Sequence, residues 1–365
     1  MKITANMVTV ARIVLLPVPG YLLYNDIPHL YWAFALIVML AFTDWLDGQM
    51  ARKNGATVLG GLLDPIADKI FIVVCFIPFS QRVLPGMDNV VFPLWMLILM
   101  FSRDFVVTSL RTSMSMLGVP MRTSVLAKFK TAIQMTSAGY LIAIVIGYLE
   151  NPESQVVSYL FFLMASIPLA YIVYRLVTGK LPGIRSLTMF SMTGVFAVIF
   201  FFADIQVSLL VLAAVVSGVT VFSGISYVID AWSALKGTKK IFREASKYVL
   251  EGFLVPAAFL LPLGCFDSYL VSTLVILGIT LELASGGLAN LLASRKAVIR
   301  FRLIILKGIL EVLFAGGAVV VCHYKLFSGY PVGEILISAA ASVSLVSTVI
   351  LFVRNRSVYM GQLMG

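Results

Sequence analysis

Apolar runs of about 20 residues, the length that crosses a bilayer, recur along the whole chain and are separated by short polar segments. They predict about twelve spanning helices, with centres near residues 15, 40, 70, 103, 137, 165, 195, 220, 256, 281, 311 and 343. The first run, Met7 to Tyr24, shows no basic n-region with a cleavage motif and reads as a retained span. The expected fold is all-α, a polytopic integral membrane protein with little soluble mass.

Charge is sparse and lopsided. Hydrophobic residues make up 60% of the chain and charged ones 12%, which leaves no separate soluble domain. With a cytoplasmic N-terminus, the outer loops carry Asp26, Asp88, Glu150, Glu153, Asp204, Asp267 and Glu334. Of 27 Lys and Arg, those loops hold only Arg82 and Lys325. That skew is the positive-inside pattern, and an even number of spans puts both termini in the cytoplasm. The net charge of +10 then describes a basic cytoplasmic face suited to anionic headgroups and phosphorylated substrates. Nucleic acid is not expected as a partner, because short loops between spans offer no surface for a duplex. Cys75, Cys265 and Cys322 lack metal-ligand spacing and read as small core residues.

The chemistry is concentrated around the second and third spans. Asp44 and Asp47 lie three apart near the end of one, and Asp64 and Asp68 four apart at the start of the next, so each pair shares a helix face. Two antiparallel neighbours aim all four carboxylates into one cavity. Unpaired carboxylates there would repel one another and be costly to desolvate, and all-oxygen ligation favours Mg²⁺, Mn²⁺ or Ca²⁺. Two divalent ions are the natural complement, able to clamp a pyrophosphate and orient a hydroxyl. Gly48, Ala51 and Gly60 leave room for a bulky ligand, and Arg52 can fork onto a phosphate. Close helix packing and membrane anchoring are the plainer readings of the small residues and Arg52.

This D-x-x-D-G-x-x-A-R, spacer, G-x-x-x-D-x-x-x-D arrangement resembles the signature of the CDP-alcohol phosphotransferase family. The spacer, Lys53 to Leu59, is one residue shorter than usual, a difference confined to the loop. The resemblance implies transfer of a phosphatidyl group from CDP-diacylglycerol to an alcohol, with release of CMP. It also implies metal binding by Asp44, Asp47 and Asp64, with Asp68 as general base and possible further metal ligand.

Other segments are similar to the phosphatidylglycerophosphate synthases of that family: Asn6, Thr9 and Arg12 at the start, Asp64-Pro-Ile-Ala-Asp68-Lys69, Arg103-Asp104 with Leu110-Arg111, and Lys128-Phe-Lys130-Thr with Gln134-Met135. The implied acceptor is glycerol 3-phosphate, a small dianion that needs fixed cations. Arg103, Arg111, Arg122, Lys128 and Lys130 cluster near the ends of spans four and five, and Thr9 and Arg12 are counted with them as acceptor-phosphate candidates. Topology anchoring, an Arg103–Asp104 ion pair, and an N-cap role for Thr9 are the structural alternatives. Inositol phosphate, serine and phosphatidylglycerol are alternative acceptors. The implied setting is a bacterial inner membrane with the site facing the cytoplasm.

The family needs about half as many spans as are predicted here. The resemblance covers 1–150 and 205–235, the latter through Val219 to Tyr227, which gives a six-helix core in a domain 1–235 with an inserted helix pair at 155–203. A basic linker is expected over 236–247 and a four-helix extension over 248–365. Glu282, Gly286, Ala289 and Lys307 echo Asp44, Gly48, Ala51 and Lys69 at constant offset, suggesting a decayed partial repeat without the aspartates. A scaffold, a homodimerisation surface and lipid handling are open roles for it. A transporter with the aspartates as ion-coupling site is the alternative of another class, but such sites lie near the midplane at broken helices, whereas these carboxylates adjoin a loop.

Overall fold

The computed structural model describes residues 4–55, 57–116, 121, 125–150, 166, 169–179, 181–182, 184–202, 204–235, 239–295, 301–326 and 330–360. They are overwhelmingly helical, and the one extended pairing among them is an isolated antiparallel bridge between Val83 and Val90. The protein is an all-α integral membrane protein. Among the described residues, seven helical stretches are long and apolar enough to cross a bilayer: Ala5–Leu22, Ile27–Met50, Phe129–Glu150, Ile205–Trp232, Tyr269–Ser294, Ile304–His323 and Val332–Arg354. Every expected centre except the one near 165, which lies outside the described residues, falls within a helix.

In the first half, α1 (Ala5–Leu15) and α2 (Pro17–Leu22) form one stretch jointed at Pro17, whose ring cannot donate into the preceding turn. α3 (Ile27–Asn54) runs to Gly55, and α4 (Val58–Phe76) starts at Thr57, whose hydroxyl caps the Gly60 amide. α5 (Leu94–Met116), α6 (Val125–Glu150), a helical stretch at 169–177, α7 (Ile184–Phe202) and α8 (Ile205–Leu235) follow. α4 and α5 each carry three charged residues, Asp64, Asp68 and Lys69 in one and Arg103, Asp104 and Arg111 in the other, which sets them apart from those seven stretches.

Beyond them come α9 (Lys239–Leu260), α10 (Tyr269–Ser294), α11 (Phe301–His323), α12 (Val332–Arg354) and the short α13 (Arg356–Met360). The basic segment expected as a linker over 236–247 is, from Lys239 on, the opening of α9.

α1 packs on α3 and α4, while α5 lies among α8, α9 and α10. The second half is joined closely to the first. A side chain at Gly252 would come within 2.8 Å of Ser109 Oγ, and one at Gly287 within 3.1 Å of Ile66, so glycines let α9 and α10 press onto α5 and α4.

Candidate active site

Where α3 ends and α4 begins, four carboxylates converge on two buried side chains of α1. The Thr9 hydroxyl lies 3.0 Å from Asp47 Oδ2, 3.1 Å from Asp64 Oδ1 and 3.1 Å from its own helix's Ala5 carbonyl. One proton cannot serve three acceptors. Arg12 is ion-paired with Asp44 and has Nη2 at 3.6 Å from Asp47 Oδ2. Asp68 has Asp44, Arg12 and Asp64 as charged neighbours, and its Oδ1 is buried without a hydrogen-bond partner. Four carboxylates against one guanidinium leave three formal negative charges in excess.

Among the described residues, no three acidic, His or Cys side chains already stand at metal-ligating spacing. The donor set is nevertheless all oxygen, as Mg²⁺ or Mn²⁺ requires. The orphaned Asp68 Oδ1 and the over-subscribed Thr9 hydroxyl mark acceptors that a cation would satisfy. The residues fit divalent metal on those grounds.

Gly48 is half-buried on α3. Ala51 and Arg52 are helical, and their side chains lie outside the described residues. At Gly60 the space is already taken: a Cβ would sit 2.9 Å from Asn6 Oδ1 and 3.0 Å from Thr57 Oγ1. This glycine lets the start of α1 close over α4 rather than leaving room for ligand.

A second cluster surrounds Asp104 on α5. Lys130 Nζ bonds both of its oxygens at 2.6 and 2.5 Å, and Arg103 Nη1 reaches Oδ1 at 2.8 Å. Arg103 Nη2 donates to Ser223 Oγ at 2.8 Å and lies along α8 where Gly224 has no side chain; a Cβ there would be 2.9 Å from Arg103 Cγ. Arg103 and Arg111 lie 5.8 and 5.6 Å from the centre of the Tyr227 ring. Lys69 Nζ donates to Thr108 Oγ1 at 2.8 Å, with Asp104, Lys130, Arg111 and Arg103 as its charged neighbours. Lys130, Arg103 and Lys69 thus share the Asp104 carboxylate, with Arg111 beside Lys69, so these four cations and one carboxylate among the described residues carry a formal excess of three positive charges, and Lys130 also senses Asp68 across the boundary between clusters.

The structure therefore keeps Arg103, Arg111 and Lys130 together. It places Thr9 and Arg12 apart from them, among the aspartates. Lys128 is helical with its side chain outside the described residues, and Arg122 lies outside them altogether.

The sequence model for CDP-alcohol phosphatidyltransferases matches residues 2–174. A protein of Bacillus subtilis named CDP-diacylglycerol–glycerol-3-phosphate 3-phosphatidyltransferase is 35% identical over 170 residues, which cover 43% of this chain and 81% of that one. The chain belongs to the CDP-alcohol phosphatidyltransferase family. Proteins of the same name from Rickettsia typhi, 37% identical over 39% of this chain and 77% of theirs, and from Wigglesworthia glossinidia brevipalpis, 30% identical over 42% and 86%, agree. No solved structure matches.

An enzyme of this family thus occupies the first half of the chain. Its matched segment includes both aspartate pairs and the cations of α4, α5 and α6, but stops short of Ser223, Gly224 and Tyr227 on α8. Those three complete the cation cluster, and the signal for them was the similarity of Val219 to Tyr227 to the family's last span. Lys69 was also missed as a site cation, although it directly follows Asp68.

Proposed function

We propose that this protein transfers the phosphatidyl group of CDP-diacylglycerol to the hydroxyl of glycerol 3-phosphate, giving phosphatidylglycerol phosphate and CMP. The observation that carries the reading is the pairing of an acidic cluster with an adjacent cluster holding three surplus positive charges. A zwitterionic acceptor such as serine brings one carboxylate and an ammonium that the cations would repel, whereas a phosphate dianion matches them. The named activity of the relatives points the same way. The excess of Lys and Arg in one set of loops supports a site facing the cytoplasm, and the bacterial relatives support an inner-membrane setting.

In this mechanism the acceptor phosphate lies against Arg111, with Arg103 and Lys130 beside it, and its hydroxyl points toward Asp68. The hydroxyl proton passes to the Asp68 carboxylate as the oxygen bonds to the phosphatidyl phosphorus. The bond from that phosphorus to the bridging oxygen breaks, and CMP leaves with the oxygen. Mg²⁺ or Mn²⁺, as a pair held by Asp44, Asp47, Asp64 and Asp68, would neutralise the pyrophosphate and acidify the hydroxyl. Thr9 and Arg12 hold the carboxylates in position from α1. Gly48, Ala51 and Arg52, at the end of α3, are assigned to the CDP moiety.

The test is CMP release by the purified full chain with CDP-diacylglycerol and Mg²⁺, offered glycerol 3-phosphate, inositol phosphate, serine or phosphatidylglycerol in turn. Glycerol 3-phosphate should support turnover, chelation should abolish it, and Mg²⁺ or Mn²⁺ should restore it. Asp68→Asn should lower kcat by about 10²- to 10⁴-fold, the usual contribution of a general base. Release with serine in preference to glycerol 3-phosphate, or an unchanged rate in Asp68→Asn, would sink the proposal.

A further inference from the structure

A cavity of about 910 Å³ lies between α5 and the four long helices of the second half, and all of its lining except Phe105, Thr108 and Ser109 of α5 falls outside the segment that matches the family. Its walls are largely apolar, with Val346 and Ile350 of α12 and Leu306 of α11 among them, and its rim carries Arg354. Its polar floor consists of Glu251, Glu282, Ser285 and Lys307.

The floor is out of electrostatic balance. Lys307 is ion-paired with Glu282, lies 3.6 Å from Glu311 Oε1 and donates to Ser285 Oγ at 3.3 Å. Ser344 Oγ stands 2.7 Å from both Glu282 Oε1 and Glu311 Oε1, so its single proton is contested. Glu251 Oε2 and the Oε2 of the fully buried Glu311 have no hydrogen-bond partner. Two carboxylates, Glu251 and Glu282, therefore line the chamber beside the Lys307 ammonium, and Glu311, which is fully buried and outside the lining, is a third carboxylate near the same ammonium. Uncompensated buried charge is costly, so the chamber favours an occupant that brings hydrogen-bond donors and positive charge. Lys307, ion-paired with Glu282 and near Glu311, already makes an ammonium the cation this floor accommodates. An anionic headgroup brought to the floor would meet the unpartnered Glu251 carboxylate, which disfavours CDP-diacylglycerol and the product of the proposed reaction as occupants.

We propose that this cavity binds an aminophospholipid. Its primary ammonium donates to Glu251 and Glu282, its phosphate meets Arg354 at the rim, and its acyl chains lie along Leu306, Val346 and Ile350. The occupant would touch the family domain directly, because Phe105, Thr108 and Ser109 of α5 also line the cavity. Thr108 is the residue that accepts from Lys69 of the cation cluster. The assignment rests on the second half alone and does not depend on which alcohol the first half uses.

The experiment is native mass spectrometry of the delipidated full chain in mild detergent. It is titrated with phosphatidylethanolamine, phosphatidylcholine, phosphatidylglycerol and the water-soluble headgroup glycerophosphoethanolamine. One desolvated ammonium–carboxylate bond should give phosphatidylethanolamine at least about tenfold tighter retention than phosphatidylglycerol or phosphatidylcholine. Glu251→Gln keeps the shape and removes an unpartnered charge, and should erase that preference. Val346→Trp should block all lipid retention at this site by filling its apolar limb. Equal retention of the three lipids by the wild type, or an unaltered preference in Glu251→Gln, overturns the proposal. Competition by the free headgroup as strong as by the lipid overturns the lipid assignment in favour of a soluble amine. Should either variant fail to fold, the wild-type preference decides, together with a rise in melting temperature specific to phosphatidylethanolamine.

Discussion

Arg111 is the cation whose removal separates acceptor binding from stability. Its guanidinium rests near the Tyr227 ring, its Nε has no hydrogen-bond partner, and no ion pair among the described residues includes it. Arg111→Leu therefore strands no buried charge, and its stability cost is the cation–π contact, about 0.5–1 kcal/mol. A charge-assisted bond to the acceptor phosphate contributes about 1.5–3 kcal/mol, or about 10- to 150-fold in kcat/KM. The phosphate lies away from the reacting hydroxyl and is held alike in ground and transition states. The loss should accordingly appear as a raised KM for glycerol 3-phosphate, with little change in kcat or in KM for CDP-diacylglycerol. Arg111→Lys should recover part of it, keeping the charge but not the fork. Lys130→Met is the contrasting case, because it leaves Arg103 as the cation hydrogen-bonded to Asp104; losing such a charge-assisted bond costs about 1.5–3 kcal/mol and should show first as a fall in melting temperature. Steady-state CMP release with each substrate varied in turn, alongside thermal unfolding, distinguishes the two. An unchanged KM for glycerol 3-phosphate in Arg111→Leu, or an equal rise for both substrates, would refute the assignment.

Gly60→Ala should destabilise the protein by about 1–3 kcal/mol, because its methyl group would collide with Asn6 and Thr57 at the junction of α1 and α4. A raised KM for CDP-diacylglycerol at unchanged melting temperature would instead restore Gly60 to the ligand site. A chain ending at Gly237 retains all four aspartates, Arg103, Arg111, Lys130, Ser223 and Tyr227, but uncovers the faces of α4 and α5 that α9 and α10 bury. It should release CMP at a reduced rate and melt at lower temperature; a folded, inserted truncation with no turnover would place an essential group beyond residue 237.

The metal-type cluster was legible because three- and four-residue spacings translate directly into a shared helix face, and costly intramembrane carboxylates have few structural uses. What the spacing could not supply was the partner of each polar residue across the bundle. The resemblance of the Asn6, Thr9 and Arg12 opening to the phosphatidylglycerophosphate synthases groups Thr9 and Arg12 with the acceptor cations, yet α1 packs on α3 and α4, which brings them to the aspartates. The room expected at Gly60 was a property of one residue, and Asn6, distant in sequence, fills it. Glu251 and Glu311 gave no signal, since each stands alone in an apolar run and gains meaning only when α9, α10 and α11 come together.

The link between the two clusters was present in the sequence as a single dipeptide. Asp68 and Lys69 are consecutive, so on a helix their side chains point about 100° apart. Asp68 faces Asp44 and Arg12, and Lys69 reaches Thr108 on α5. α4 is therefore the wall between a region of surplus negative charge and one of surplus positive charge. A substrate phosphate on the Lys69 side and a metal-bound pyrophosphate on the Asp64 side would lie within one helix width of each other. Turning α4 by a single residue, as an insertion between Gly60 and Asp64 would do, should abolish both functions at once.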